Sequence, residues 1–215
     1  MNRREFIETL DQALVCMGLE PCQDFVKEQL FLFNELLLKW NRRINLTGHK
    51  TAKESLEKNF IDSLALVPLM VKIKGKVLDI GSGAGFPGLV LKIYFSCLNF
   101  TFIEVDRKKT AFLATVIREL KITGAEILTE FLTIKNIKLL GLESRFEAVV
   151  SRATASVDHL FPLAKKCLKK DGIYLAMTSD EFFLEGEKEK IEECSYSLPF
   201  SNLKRKIIVL KNDKL

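Results

Sequence analysis

Long apolar runs are missing from this 215-residue chain. Its most apolar window, Leu64 to Val71, spans eight residues and is interrupted by Pro68, well short of the roughly 20 residues that cross a bilayer. The first residues, Met1-Asn2-Arg3-Arg4-Glu5-Phe6, mix charges early and lack the apolar core of a secretory signal. Cysteine is sparse and scattered: Cys16, Cys22, Cys97, Cys167 and Cys194 are odd in number and form no C-x-x-C pair. That pattern argues against a zinc ribbon, a redox pair or a disulfide framework. Histidine occurs twice, at His49 and His159, and neither has a sequence neighbour suited to catalytic or metal-binding pairing. Repeats and low-complexity linkers are also missing. The expectation is a soluble chain of the reducing cytoplasm, without a metal.

What is present is ordinary globular material. Hydrophobic residues make up 47% and charged residues 28%, which leaves no compositional case for a disordered tail. The length suits one α/β domain with a modest extension rather than two full domains. Thirty-three Lys and Arg against 28 Asp and Glu give a net charge of +5. That excess is compatible with a polyanionic partner and too mild to establish one.

Hydrophobic spacing divides the chain near residue 72. Residues 3 to 17 and 22 to 42 repeat apolar positions every three or four residues, among them Phe25, Leu30, Phe33, Leu36, Leu37 and Trp40, the mark of amphipathic helices. Thr51-Ala52-Lys53-Glu54 has capping-box spacing and predicts another helix start, and Phe60 to Met70 reads as a further helical piece. Residues 1–72 are therefore expected to form a helical extension. Beyond them come short β-rich runs at Val77–Ile80, Phe100–Glu104, Glu126–Thr129, Ala148–Ser151 and Ile173–Met177. Helix-length segments, notably Lys108–Leu120 and Ser156–Leu168, separate them, so βαβ units and a parallel sheet are predicted for residues 73–215. Lys204–Leu210 reads as an edge strand.

The stretch from Val77 to Gly88 predicts a buried strand, a glycine-rich turn and a helix. Gly81, Gly83, Gly85 and Gly88 fall within eight positions, a concentration accepted where a ligand approaches the main chain closely. Gly83-Ala84-Gly85-Phe86-Pro87-Gly88 formally matches the dinucleotide fingerprint, and Glu104 ends the next strand, where a carboxylate can hold both ribose hydroxyls. These features point to an adenosine-containing cofactor. Asp79 separates the options. A carboxylate beside the turn suits the ammonium of a methionine-derived methyl donor and would repel the pyrophosphate of a dinucleotide. The alternative for Asp79 is a turn residue bonded to backbone.

With these residues the chain resembles the S-adenosylmethionine-dependent methyltransferases, Asp79-Ile80-Gly81-Ser82-Gly83-Ala84-Gly85 being their first motif. Four further segments narrow the likeness: Asn41-Arg42-Arg43-Ile44-Asn45-Leu46-Thr47, Ile61-Asp62-Ser63-Leu64, Phe86-Pro87-Gly88 and Ser151-Arg152-Ala153-Thr154-Ala155-Ser156. Together they resemble the glucose-inhibited division protein B (RsmG) family over nearly the whole chain. The resemblance implies a Rossmann-like class I methyltransferase fold, α/β, with a mostly parallel seven-stranded sheet behind the helical extension. It implies transfer of a methyl group from S-adenosyl-L-methionine to N7 of a guanine in 16S ribosomal RNA, within the small subunit, by a monomer. It also implies cofactor contacts from Gly81 and Phe86, from Glu104 at the ribose, from Phe131 and Leu132 after the third strand, and from Arg152 after the fourth. Asp79, Gly83 and Gly85 complete the expected cofactor set.

The chemistry agrees. Methylation of a pyrimidine carbon needs a cysteine nucleophile, and the single Pro-Cys pair, Pro21-Cys22, reads as a helix start. Guanine N7 has a free lone pair and no proton, so its methylation needs no general base. No acid or base is therefore assigned. Arg152 could orient guanine or cofactor with its planar fork, contact phosphate, or form an ion pair across the sheet top. Candidate RNA contacts are Lys39, Arg42, Arg43, Lys50 and Lys53, and Arg107, Lys108 and Lys109. Three positions depart from the family pattern: Asn59 replaces a histidine, Glu130 an arginine, and Thr178-Ser179 a lysine-glycine pair. Loss of cations at Glu130 and Thr178 weakens the expected attraction for RNA. Two other readings remain open, a catalytically weak, cofactor-sensing ribosome-assembly factor and a nicotinamide-dependent oxidoreductase.

Overall fold

The structure, a computed structural model, describes residues 1–49, 51–152, 157–181 and 191–212. Two amphipathic helices begin it. Helix α1 (Arg3–Cys16) starts at a capping box in which Asn2 and Glu5 bond each other's backbone, and it buries Phe6, Leu10, Ala13 and Leu14. Helix α2 (Asp24–Asn41) buries Val26, Leu30, Phe33 and Leu37, while Phe25 points outward at 50% exposure. The two helical pieces expected between residues 51 and 70 form one interrupted run: α3 (Ala52–Ser55), a π-helical turn (Leu56–Ile61), α4 (Asp62–Leu64) and α5 (Val67–Met70). The π turn has no sequence signature, and such turns recur at functional sites.

Seven strands follow in one sheet of order β3-β2-β1-β4-β5-β7-β6. Strands β1 (Lys76–Ile80), β2 (Asn99–Ile103), β3 (Ala125–Leu128), β4 (Phe146–Arg152) and β5 (Leu168–Ser179) pair in parallel. Strand β7 (Lys204–Lys211) lies antiparallel to both β5 and β6 (Ile191–Ser197). The expected edge strand at Lys204–Leu210 is therefore an interior one, and the edge is β6. The reason is burial. Ile207, Ile208, Val209 and Leu210 are at most 5% exposed, so both faces of β7 are covered, and β5 and β6 pair along its two sides.

Crossover helices α6 (Gly88–Tyr94), α7 (Arg107–Glu119) and α8 (Val157–Cys167) complete the βαβ units. Ser156, expected to open α8, lies outside the described residues with the rest of Ala153–Ser156, as does Lys50. One face of the sheet packs on α1, α2, the interrupted run, α6 and α7 in a single hydrophobic cluster. The opposite face packs on α8 and the segment after β3. Phe33, Phe60 and Phe86 meet at centroid distances of 5.0 to 5.2 Å, a geometry in which each aromatic pair adds about 0.5–1.5 kcal/mol beyond its area. Phe86 belongs to the glycine turn, so the helical layer is pinned against the very loop that β1 delivers.

Candidate functional site

Strand β1 lies between β2 and β4, so the chain order reverses there and a crevice opens beyond the strands' carboxyl ends. The glycine turn fills that place. Gly81 and Ser82 donate their amides to the Ile103 carbonyl at 2.8 and 3.0 Å, tying the turn to the end of β2. Gly83 sits at φ +56°, and a Cβ built there would meet only the Gly81 carbonyl oxygen, at 3.9 Å. Its amide donates to Glu104 Oε2 at 2.8 Å, while Asp106 N donates to Oε1 at 2.9 Å. Glu104 is thus held by backbone just past β2.

A cavity of about 530 Å³ opens over this turn. Of the residues expected to hold a cofactor, Gly81, Gly83, Phe86, Glu104 and Arg152 line it together. Four others do not line it. Asp79 is fully buried beneath the turn, its Oδ2 accepting from Gly88 N at 3.0 Å and its Oδ1 without a hydrogen-bond partner. Burial pushes its pKa up from 3.8 to about 7, with the Gly88 bond opposing. A Cβ on Gly88 would run into the Asp79 carboxylate, so this glycine serves the close packing of α6 on β1. Gly85 likewise faces packing, since a Cβ there would meet Leu89 at 2.9 Å and Leu113 and Phe33 at 3.1 Å. Leu132 is buried in the cluster on the opposite sheet face, and Phe131 beside it is 71% exposed.

The loop after α2, assigned no site role above, adds to the lining. Leu46, Thr47, Gly48 and His49 form one wall. Asn41, at the end of α2, holds that loop with both ends of its amide: Oδ1 accepts from Leu46 N and Thr47 N, and Nδ2 donates to the Thr47 and His49 carbonyls, all at 2.8 to 3.1 Å. Burial, then the positive charges of Lys58 and Arg152, lowers the His49 pKa. Among the eight expected RNA-contacting cations, Lys109 reaches this cavity, and Arg42 lines a neighbouring groove of about 920 Å³ with Asn41 and Thr47.

Arg152 closes the other side. Its Nη1 donates to the Lys58 carbonyl at 2.7 Å and to Asp62 Oδ2 at 3.2 Å, and its Nη2 donates to Asn59 Oδ1 at 3.0 Å. Its guanidinium carbon lies 5.0 Å from the centroid of the Phe86 ring, close enough for a cation–π contact. The π turn supplies these acceptors, since Lys58 and Asn59 lie within it and Asp62 follows it. Tyr196 of β6 donates to Asp62 Oδ1 at 2.7 Å, and burial, then Asp62, pushes that phenol well up. Arg152 therefore makes the ion pair across the sheet top while remaining part of the cavity lining. Asn59, at the position of a usual histidine, is one of its partners.

Chemically, the cavity offers backbone curvature, one anchored carboxylate and one anchored guanidinium. No cysteine lines it. Cys22 is buried near the start of α2, and burial pushes its thiol up to about 12, which removes the thiolate that a pyrimidine-carbon methylation requires. Among the described residues no helix is long and apolar enough to cross a membrane, and no group of three or more His, Cys, Asp or Glu gathers as for a metal.

Comparisons agree with this geometry. The profile of the family described as rRNA small subunit methyltransferase G matches residues 26–208. Ribosomal RNA small subunit methyltransferase G of Francisella philomiragia is 34% identical over 208 residues, covering 95% of this chain and 97% of the relative. Its counterpart in Caldanaerobacter subterraneus is 34% identical over 223 residues, covering 97% and 91%. Among solved structures, precorrin-6y C5,15-methyltransferase of Geobacter metallireducens superposes with a TM-score of 0.53 at 11% identity, over 78% of this chain and 92% of that one. That likeness is one of fold.

Proposed function

We propose that this chain, which belongs to the rRNA small subunit methyltransferase G family, transfers a methyl group from S-adenosylmethionine to N7 of a guanine in 16S ribosomal RNA. Methyl transfer to ribosomal RNA and the S-adenosylmethionine donor come with the family. Guanine N7 as the acceptor atom is our reading. The observation that supports it is the pairing of the cavity's titratable groups: Glu104 has an amide on each oxygen, and no carboxylate among the described residues bonds the His49 ring. Neither is paired as an acid or base, and an acceptor with an available lone pair and no proton needs neither.

The residues present fit the donor. The open face of Gly83 leaves room for a ligand against the backbone. Each Glu104 oxygen retains a lone pair beyond its amide bond and can accept from a ribose hydroxyl. When bound, the donor supplies an electrophilic methyl group on a sulfonium. The chain's part is positional: the turn and Glu104 fix the donor, and Arg152 with Phe86 forms a rigid wall. Alignment of this kind replaces bimolecular entropy. Asp79 and Gly85 shape the turn from beneath, and we assign Phe131 and Leu132, after β3, to the same adenosine half.

In this reading residues 73–215 carry the methyltransferase core, and residues 1–72 supply the loop and π turn that complete the cleft. The enzyme works in the cytoplasm as a monomer on RNA within the small subunit. The test is transfer of labelled methyl groups from S-adenosylmethionine to small subunits and to naked ribosomal RNA, with the modified base mapped by chain cleavage at 7-methylguanine. Label on guanine N7 is expected. Label at another base position overturns the acceptor atom, and donor binding with no transfer to either RNA form would favour the assembly-factor reading.

A further inference from the structure

A second cavity, of about 360 Å³, adjoins the first and shares Arg152 and His49 with it. Its floor is the carboxyl end of β5, Met177-Thr178-Ser179, on the edge of the sheet where the glycine turn opens. Lys58, Asp62 and Arg205 complete its charged lining. Three cationic side chains, Lys58, Arg152 and Arg205, thus face one carboxylate, and that carboxylate already takes Arg152 at 3.2 Å and Tyr196 at 2.7 Å. The Lys58 ammonium makes no ion pair among the described residues. Arg205 approaches Asp62 no closer than 3.8 Å, and its Nε is buried without a hydrogen-bond partner. Two cations at a recess, Lys58 without an ion pair among the described residues and Arg205 sharing the already engaged Asp62 at 3.8 Å, make an anion site.

We propose that this recess is the acceptor subsite, holding the guanosine nucleotide extruded from single-stranded ribosomal RNA, with Lys58 and Arg205 on its phosphate. The inference rests on the proposed function for the identity of the acceptor. Guanine N7 faces the deep major groove of an A-form helix, which side chains cannot enter, so a target must come from a loop or be splayed out. The volume lies at the lower end of the roughly 300–1,000 Å³ of small-molecule sites. Thr178 and Ser179 offer hydroxyls to base or ribose. Arg152, common to both cavities, stands between donor and acceptor. The π turn explains how Lys58 serves twice, its carbonyl turned to Arg152 and its side chain left at the recess. The cation that β5 lacks at Thr178 is thereby supplied from the π turn and from β7.

The test uses the full chain and its Lys58→Gln, Arg205→Gln and Arg205→Lys variants, with Lys72→Gln, an exposed residue before β1, as a control of equal charge. The probes are S-adenosylmethionine by calorimetry and a labelled single-stranded guanine-containing oligoribonucleotide bound to enzyme saturated with S-adenosylhomocysteine. Donor affinity is expected within twofold of wild type. Oligonucleotide affinity should fall at least tenfold in each Gln variant, with the salt slope reduced by about 0.7 per lost phosphate contact. Arg205→Lys should recover part of the loss, and KM for small subunits should rise with little change in kcat. If Arg205→Gln fails to fold, Lys58→Gln and Arg205→Lys decide. The inference is overturned if the variants bind like Lys72→Gln, or if donor affinity falls in parallel. Guanine N7 methylation by variants indistinguishable from wild type sinks the subsite alone. A wild type that labels no guanine, with oligonucleotide binding still governed by Lys58 and Arg205, sinks the proposed function alone.

Discussion

The two halves of the cleft are held together in different ways. In the donor half, Gly88 bonds Asp79 across nine residues and Gly83 bonds Glu104 across 21. In the acceptor half, Arg152 reaches the π turn and Asp62 across 90 to 94 residues, and Tyr196 reaches Asp62 across 134. The first is a local turn whose glycines encode it. The second exists only once the helical layer, β4 and β6 have all docked, so it is at once a site wall and a clasp on the whole fold.

That contrast is tested hardest at Asp62, which is 1% exposed and serves Arg152, Tyr196 and, more distantly, Arg205. Asp62→Ala leaves a largely buried guanidinium without its carboxylate and the part-buried Tyr196 phenol without its acceptor. The expected loss is about 3–5 kcal/mol of stability, measured by urea unfolding. A loss below about 1 kcal/mol would mean that the long-range half is not a clasp.

Asp79 tests the local half through pH. Burial raises its folded pKa from 3.8 to about 7, so between those values the folded chain holds a proton that the unfolded chain has released. The Asp79 contribution to stability therefore falls as pH rises from about 4 to about 7 and then levels off. A shift of this size corresponds to at most about 4 kcal/mol. Asp79→Asn keeps an oxygen for the Gly88 amide and removes the titration, so the stability difference between wild type and variant should decline across that window. A difference that stays flat from pH 4 to 7 would show that the carboxyl is ionised throughout.

Legibility followed the same division. The glycine turn could be read because a positive φ and close helix packing each demand glycine within a few residues, and Glu104 stands at a fixed distance from it. Strands β1 to β5 could be read because short β-rich runs alternate with helix-length segments, the mark of βαβ units. Strand β6 could not, since Glu192-Glu193-Cys194-Ser195-Tyr196 carries little apolar pattern and is specified by its pairing with β7. The π turn was illegible because its register depends on what Arg152 needs. Lys58, Tyr196 and Arg205 were invisible as site residues for the same reason, as their neighbours lie far away in sequence. Asn41 lay between these cases. Its motif was visible, but its task of holding the loop at Leu46–His49 needed coordinates.

Glu104→Gln separates donor binding from the clasp. The side chain keeps its shape, but one acceptor oxygen becomes a donor facing a backbone amide. Charge-assisted hydrogen bonds contribute about 1.5–3 kcal/mol, so S-adenosylmethionine affinity should fall roughly 10- to 150-fold by calorimetry. Oligonucleotide binding through Lys58 and Arg205 should be unaffected. If both affinities fall together, the two halves are one site and the division drawn above fails.

The smallest expected effect lies at Gly83, where the local half is most sharply defined. Its φ of +56° is strained for any residue with a side chain, yet a Cβ there would meet nothing nearer than the Gly81 carbonyl oxygen at 3.9 Å. Gly83→Ala should therefore fold, at a cost of about 1–2 kcal/mol for the left-handed conformation. The added methyl group meets little of the protein and stands at the cavity that the donor is proposed to fill. Donor affinity should then drop by more than the stability change explains, while the Arg152 clasp and RNA binding stay as they were. A variant that loses stability but binds S-adenosylmethionine as tightly as wild type would place the donor away from the turn, and the glycine would be left with a purely conformational role.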